Sequence, residues 1–175
     1  MKRVLGAFAA LAVLATPALA ALKPGAKAPM FSAPAAKAGE EFNFSLAEAL
    51  QKGPVVLYFY PAAFTKGCTI EAHMFAEASD EFAALGATVI GVSRDSVKKL
   101  KEFSVSECRN KFAVASADPG IIKAYDVAFK LAPNLADRVS FVIAQDGTIA
   151  YEYSALDPSK HVENTLAAVK KLHKK

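Results

Sequence analysis

Cysteine is scarce in this 175-residue chain: only Cys68 and Cys108 occur, forty residues apart, with no Cys-x-x-Cys pair. A dithiol exchange centre, which needs a second sulfur poised next to the first, is thereby disfavoured. Histidine is equally sparse. His73, His161 and His173 supply no third and fourth ligand to a Cys68-x4-His73 pair, so no structural zinc or other metal is expected. No phosphate loop, dinucleotide fingerprint, serine triad or haem attachment motif is present, and no cofactor is expected. A strong excess of one charge sign is missing too. The densest basic groups, Lys98, Lys99 and Lys101, then Lys170, Lys171, Lys174 and Lys175, read as solvated helix faces, and nucleic acid is not an expected partner.

A long apolar run is also lacking. Val4 to Ala15 is continuous but falls short of the roughly 20 residues a spanning helix needs, and Pro17 breaks the stretch just beyond it. With Lys2 and Arg3 before it and Ala18-Leu19-Ala20 after it, this run reads as a secretory signal peptide over residues 1–20, cleaved after Ala20. Export, with the periplasm as destination, and no membrane association after cleavage are the expectations. The remainder, residues 21–175, has the size of one domain. Without Lys2 and Arg3 it carries 19 basic and 17 acidic residues, a formal charge of +2.

Along that domain, Leu22 to Lys37 holds Pro24, Pro29 and Pro34 amid alanines and reads as an extended lead-in that packs by Met30 and Phe31. Val55 to Tyr60 is apolar on both alternations, as a strand buried on both faces must be. Met74, Phe75, Ala78, Phe82 and Leu85 define one face of a helix over about Cys68 to Leu85, closed by Gly86. Ala87 to Ser93 is a second buried strand. Ser93 or Asp95 caps the next helix, whose stripe is Val97, Leu100, Ser104 and Cys108. Phe112 to Ala115 makes a short strand, Asp118-Pro119 starts a short helix, and Val139–Ala144 with Thr148–Tyr153 flank an Asp146-Gly147 turn in an antiparallel hairpin. Asp157-Pro158 opens the last helix. Early alternation of strand and helix succeeded by a hairpin predicts an α/β domain of thioredoxin-like layout: a central mixed sheet with helices on both faces.

Cys68 falls where the first of these strands ends at Pro61 and a helix begins with the thiol in its first turn. Helix-end amides and the macrodipole favour an anion there, which stabilises a thiolate. A cysteine taken at random is more often a small buried hydrophobe. The post-proline loop, Gly67, and a hydroxyl at Thr65 three residues before the sulfur reverse that preference.

The pattern Pro61-x-x-x-Thr65-x-x-Cys68 resembles the peroxidatic signature of the peroxiredoxins. Phe59-Tyr60-Pro61, Cys68-Thr69-x-Glu71-Ala72, Gly91-Val92-Ser93-Arg94-Asp95-Ser96 and Arg138-Val139-Ser140-Phe141-Val142-Ile143 are similar, in that order, to the bacterioferritin-comigratory or Q-type branch. The likeness extends over roughly Pro24 to Leu172. It implies a thiol peroxidase that reduces hydrogen peroxide or organic hydroperoxides through a sulfenic acid at Cys68, with a thioredoxin-like protein or small thiol as reductant. A monomer or weak dimer is the expected assembly. An ordinary thiol with a pKa near 8.5 is about 3 per cent ionised at pH 7, so complete ionisation supplies only about thirtyfold in rate. The rest must come from donors aimed at the two oxygens as one bond forms and the other breaks. Carried over by motif position, those donors are the Thr65 hydroxyl, the Gly67 and Cys68 amides and the Arg138 guanidinium. Pro61 restricts the loop and shields the sulfur, and Glu71 orients Arg138.

The fate of the oxidised sulfur is open at this level. The common Q-type pattern has a resolving cysteine five residues after the first, where this chain has His73, read here as an ordinary helix residue. Cys108 is the candidate resolving thiol, or else a core residue with an external thiol acting on Cys68. A disulfide between the two requires one helix end to unwind. Two other readings stand beside the peroxidase: a thiol-disulfide oxidoreductase, and a redox-sensing module.

Overall fold

The computed structural model describes residues 21–174; the signal peptide expected at residues 1–20 lies outside them. The lead-in is more regular than its composition suggests. β1 (Ser32–Lys37) and β2 (Glu40–Ser45) form an antiparallel hairpin, turned at Ala38 and Gly39, both with positive φ, as tight two-residue hairpin turns require. Ala33, Ala35 and Ala36 are buried, and Pro34, which cannot donate to a ladder, lies outside the Ala35–Ala36 pairing with β5. Phe31 packs against Phe44 and Tyr125, with centroids at 5.7 and 6.0 Å. Met30, expected to pack, is 54% exposed. Ser45 then caps α1 (Leu46–Lys52), accepting from the Glu48 amide.

β3 (Val55–Phe59) is buried throughout, and its two-residue period sends Val55, Leu57 and Phe59 into one core and Val56 and Tyr58 into the other. From it the chain passes through α2 (Lys66–Ala84) to β4 (Thr88–Ser93), then through α3 (Val97–Ser106) to β5 (Ala113–Ser116). These three strands pair in parallel, as helical crossovers require. Ser96, rather than Ser93 or Asp95, caps α3, accepting from the Lys99 amide. The helix ends at Ser106, so Cys108 lies just beyond it, and Val97 is only half-buried. Asp118 caps α4 (Pro119–Ala124), as its Asp-Pro pair predicts.

β6 (Ala128–Phe129) and β7 (Ala132–Ala136) form a separate small ribbon that hydrophobic patterning does not announce. β8 (Val139–Ile143) pairs antiparallel with β3 and makes the expected hairpin with β9 (Ile149–Ser154). A 3-10 turn at Pro158–Lys160 leads into α5 (His161–His173). The seven-stranded sheet runs β2-β1-β5-β4-β3-β8-β9. Helices α1 and α4 contribute to the core on one face; α2, α3 and α5 cover the other. The expected mixed sheet with helices on both faces is what the chain forms.

Candidate active site

The site grows from the junction of β3 and α2. Tyr60 continues the strand by donating to Val92 O at 3.0 Å, after which the chain turns through Pro61–Thr65. Asp95, beyond the end of β4, anchors that turn: its Oδ2 accepts from the Ala63 amide at 2.7 Å and from Ser93 Oγ at 2.8 Å. Phe64 is held at φ 68° and sets its ring edge-on to Phe103. A left-handed backbone at a bulky residue is costly and persists only where surrounding contacts impose it. Its effect is to bring Thr65 to the N-cap and put Cys68 in the first turn of α2.

Cys68 is 1% exposed. Arg138, immediately before β8 and 4% exposed, donates from Nη2 to Cys68 Sγ at 3.4 Å. The same guanidinium donates from Nη1 to Glu71 Oε2 and from Nε to Leu156 O at 2.9 Å. All three nitrogens are therefore committed, and the plane of the group is fixed. Gly67 makes this approach feasible: a Cβ there would meet Arg138 Nη2 at 3.0 Å. Glu71 lies three residues beyond Cys68, so helical geometry puts both on the face that meets Arg138. It is fully buried, and burial outweighs the attraction of Arg138, so its carboxyl is pushed up to about 8.

Cys68, Gly67, Glu71 and Arg138 thus converge, although α2 and the approach to β8 contribute them from separate parts of the sequence. Pro61 is half-buried at the start of the turn. Thr65 is exposed and donates its hydroxyl to Ala62 O at 2.9 Å, because the turn leaves that carbonyl beside the N-cap. Cys108 is fully buried in the segment after α3, and burial, aided by the Glu107 carboxylate, raises its thiol well above the usual range. Its neighbours tie that segment to α2: His73 Nε2 lies 2.7 Å from Glu107 Oε2, Arg109 Nη1 3.2 Å from Glu77 Oε1, and Lys111 Nζ 3.0 Å from Asp80 Oδ1.

Two polar residues beside the site escaped sequence reasoning. Asp95 looks like a helix cap until the turn it anchors is known. His161 looks like a scattered histidine, yet it is fully buried, with Nδ1 at 2.8 Å from Ser140 Oγ, Nε2 at 2.9 Å from Ala155 O, and Nδ1 at 3.7 Å from Glu71 Oε1. The available signal was its helical spacing from Thr165 and Val169, both buried.

A sheet of this order, with a cysteine in the first turn of the helix after β3, defines a thioredoxin-like fold carrying a single-thiol site. Residues 24–152 match the AhpC/TSA family, and the chain belongs to that family. It is 32% identical to peroxiredoxin Bcp of Escherichia coli strain K12 over 145 residues, 80% of this chain and 90% of that protein. It is 35% identical to the chloroplastic peroxiredoxin Q of Oryza sativa subsp. japonica over 121 residues, 68% of this chain, but spans only 55% of that protein's length. Among solved structures, peroxidoxin BcpB of Mycobacterium tuberculosis superposes with a TM-score of 0.77 at 31% identity, over 86% of this chain and 98% of that one.

Proposed function

We propose that the protein is a thiol peroxidase in which Cys68 is the peroxidatic nucleophile. The observation that carries this reading is the guanidinium of Arg138 at 3.4 Å from Cys68 Sγ, buried and pinned by Glu71 and Leu156. The thiolate attacks one oxygen of a hydroperoxide, forming an S–O bond as the O–O bond breaks. The departing oxygen takes a proton and leaves as water or an alcohol. Arg138 and the Gly67 and Cys68 amides stabilise the charge that moves onto the oxygens. Thr65, with its proton given to Ala62 O, keeps lone pairs free to accept the hydroperoxide O–H. Pro61 shapes the wall of the crevice, and Glu71 orients Arg138.

The sulfenic acid then condenses with a thiol, releasing water and leaving a disulfide that a thioredoxin-like protein or small thiol reduces. With Cys108 buried, its use as the resolving thiol requires residues 107–111 to open; otherwise the external thiol reacts directly. Peroxide treatment and then intact mass measurement separates the routes. A loss of two mass units in the wild type but not in Cys108→Ser assigns the internal disulfide. Gain of oxygen without that loss assigns external resolution. Peroxide consumption surviving in Cys68→Ser would remove the proposal, as would a protein that forms mixed disulfides with thiol substrates while ignoring peroxide.

We further infer that residues 1–20 are removed on export and that residues 21–175 act outside the cytoplasm, in the periplasm of a Gram-negative cell, as a monomer or weak dimer. Among the described residues no helix is long and apolar enough to cross a membrane. Cell fractionation with N-terminal mass analysis should find a protein starting at Ala21, and size-exclusion chromatography across a concentration series reads the assembly state.

A further inference from the structure

The turn that delivers Cys68 to the start of α2 has few ties of its own. Thr65 sends both its amide and its hydroxyl back to Ala62 O, at 3.4 and 2.9 Å, so those bonds close within the turn. As the N-cap of α2 it makes no side-chain cap bond, and the start of the helix lacks that usual fastening. Phe64, at φ 68°, adds a backbone conformation that costs energy to maintain. Among the described residues, one amide of residues 62–65 bonds to a distant part of the chain: Ala63 N, which donates to Asp95 Oδ2 at 2.7 Å.

Asp95 is itself held from several sides. Its carboxylate, with 11% of the side chain exposed, accepts from Ser93 Oγ at 2.8 Å on the same oxygen and from Lys99 Nζ at 2.7 Å on the other. Two bonds to Oδ2 and one to Oδ1 lie within the capacity of a carboxylate. The backbone is fixed as well: Ser116 Oγ on β5 donates to Asp95 O at 2.7 Å, and the Asp95 amide donates to Ser93 Oγ at 3.2 Å. Ser96 already caps α3, so the Asp95 side chain is not needed for that.

We propose that Asp95 is a positioning residue for the Cys68 chemistry: its carboxylate latches the Ala63 amide, keeping the turn closed and the sulfur aligned with Arg138, while Lys99 secures the latch from outside. Without it the strained backbone at Phe64 relaxes and the first turn of α2 loosens. Cys68 Sγ then leaves its place 3.4 Å from Arg138 Nη2. The latch needs an acceptor oxygen at the Ala63 amide rather than a negative charge, which by itself would oppose a thiolate nearby. The kinetic consequence rests on the peroxidase reading; the closed turn does not.

The test compares Asp95→Ala with Asp95→Asn, which keeps an oxygen for Ala63 N and loses the charge that attracts Lys99. For each, the second-order rate with hydrogen peroxide is measured beside the rate at which a bulky maleimide labels Cys68, located by peptide mass. Asp95→Ala should lower the first about tenfold and raise the second severalfold, whereas Asp95→Asn should leave both within about threefold of wild type. A residue that only supports the fold would lower the urea midpoint without driving the two rates in opposite directions. Hydrogen exchange in the wild type, which needs no variant, should find the Ala63 amide protected. An Asn variant as impaired as the Ala variant, rates in Asp95→Ala that stay put or move together, or an Ala63 amide that exchanges like an unprotected peptide overturns the proposal. If labelling and exchange behave as expected while the wild type ignores peroxide, the peroxidase reading falls and the latch stands.

Discussion

At the scale of single residues, the site depends on how closely one guanidinium approaches one sulfur. Gly67 has no side chain where a Cβ would press on Arg138 Nη2 at 3.0 Å, so Gly67→Ala should displace the group by a few tenths of an ångström. The expected cost is about tenfold in the second-order rate with hydrogen peroxide, read by stopped-flow fluorescence or competition kinetics, because a preorganised donor loses much of its effect when moved off its target. Arg138→Lys keeps a charge but cannot bind Leu156 O, Glu71 and Cys68 Sγ together. A loss on the order of 100-fold is expected, and a rate within threefold of wild type would deny Arg138 its role. Cys68, Glu71 and Arg138 were legible in the sequence because their motif spacing is informative. The direction of the Thr65 hydroxyl was not, since it depends on which carbonyl the turn leaves nearby. Asp95 and His161 were hidden for a related reason: each serves a segment distant in sequence.

Elements set the second level of control. On α2, His73, Glu77 and Asp80 recur at helical spacing and meet Glu107, Arg109 and Lys111 across the segment that carries Cys108. Arg109 and Asn110 in that segment both adopt positive φ, a conformation that costs energy for non-glycine residues. The segment is thus locally strained and held down from outside. Exposed pairs contribute under about 1 kcal/mol each and weaken with salt. Combining Glu77→Gln with Asp80→Asn in a Cys68→Ser background should speed maleimide labelling of Cys108 severalfold, and added salt should speed the parent toward the variant. Labelling that ignores both changes would show that the ion pairs do not govern opening. The face of α2 was readable from its apolar stripe. The cross-links were not, because sequence patterning gives no register between α2 and a loop more than twenty residues further on.

For the whole molecule, the Glu71 and His161 pair ties stability to pH. Glu71 titrates near 8 in the fold against 4.5 unfolded, and His161 near 4 against 6.5. Between pH 4.5 and 6.5 the fold keeps its proton on the glutamate while the unfolded chain keeps one on the histidine, so the two contributions offset. From 6.5 to 8 only the fold retains a proton, and stability falls as pH rises, by about 2 kcal/mol from this pair. Urea unfolding at pH 6.5 and 8.5 measures the difference, and Glu71→Gln should abolish most of it; equal midpoints in wild type would contradict the assignment. The mixed sheet and most of its order could be read from alternating strand and helix patterns with Asp-Pro and Asp-Gly signals. The β1–β2 hairpin could not, since its buried positions are mostly alanine and lack the branched and aromatic residues that mark strands. One further consequence concerns bulk. On the proposed reading of Cys68 as the peroxidatic thiol, a sulfur on a residue only 1% exposed should screen oxidants by girth, yielding to hydrogen peroxide faster than to an aromatic disulfide that must wait for the first turn of α2 to fray.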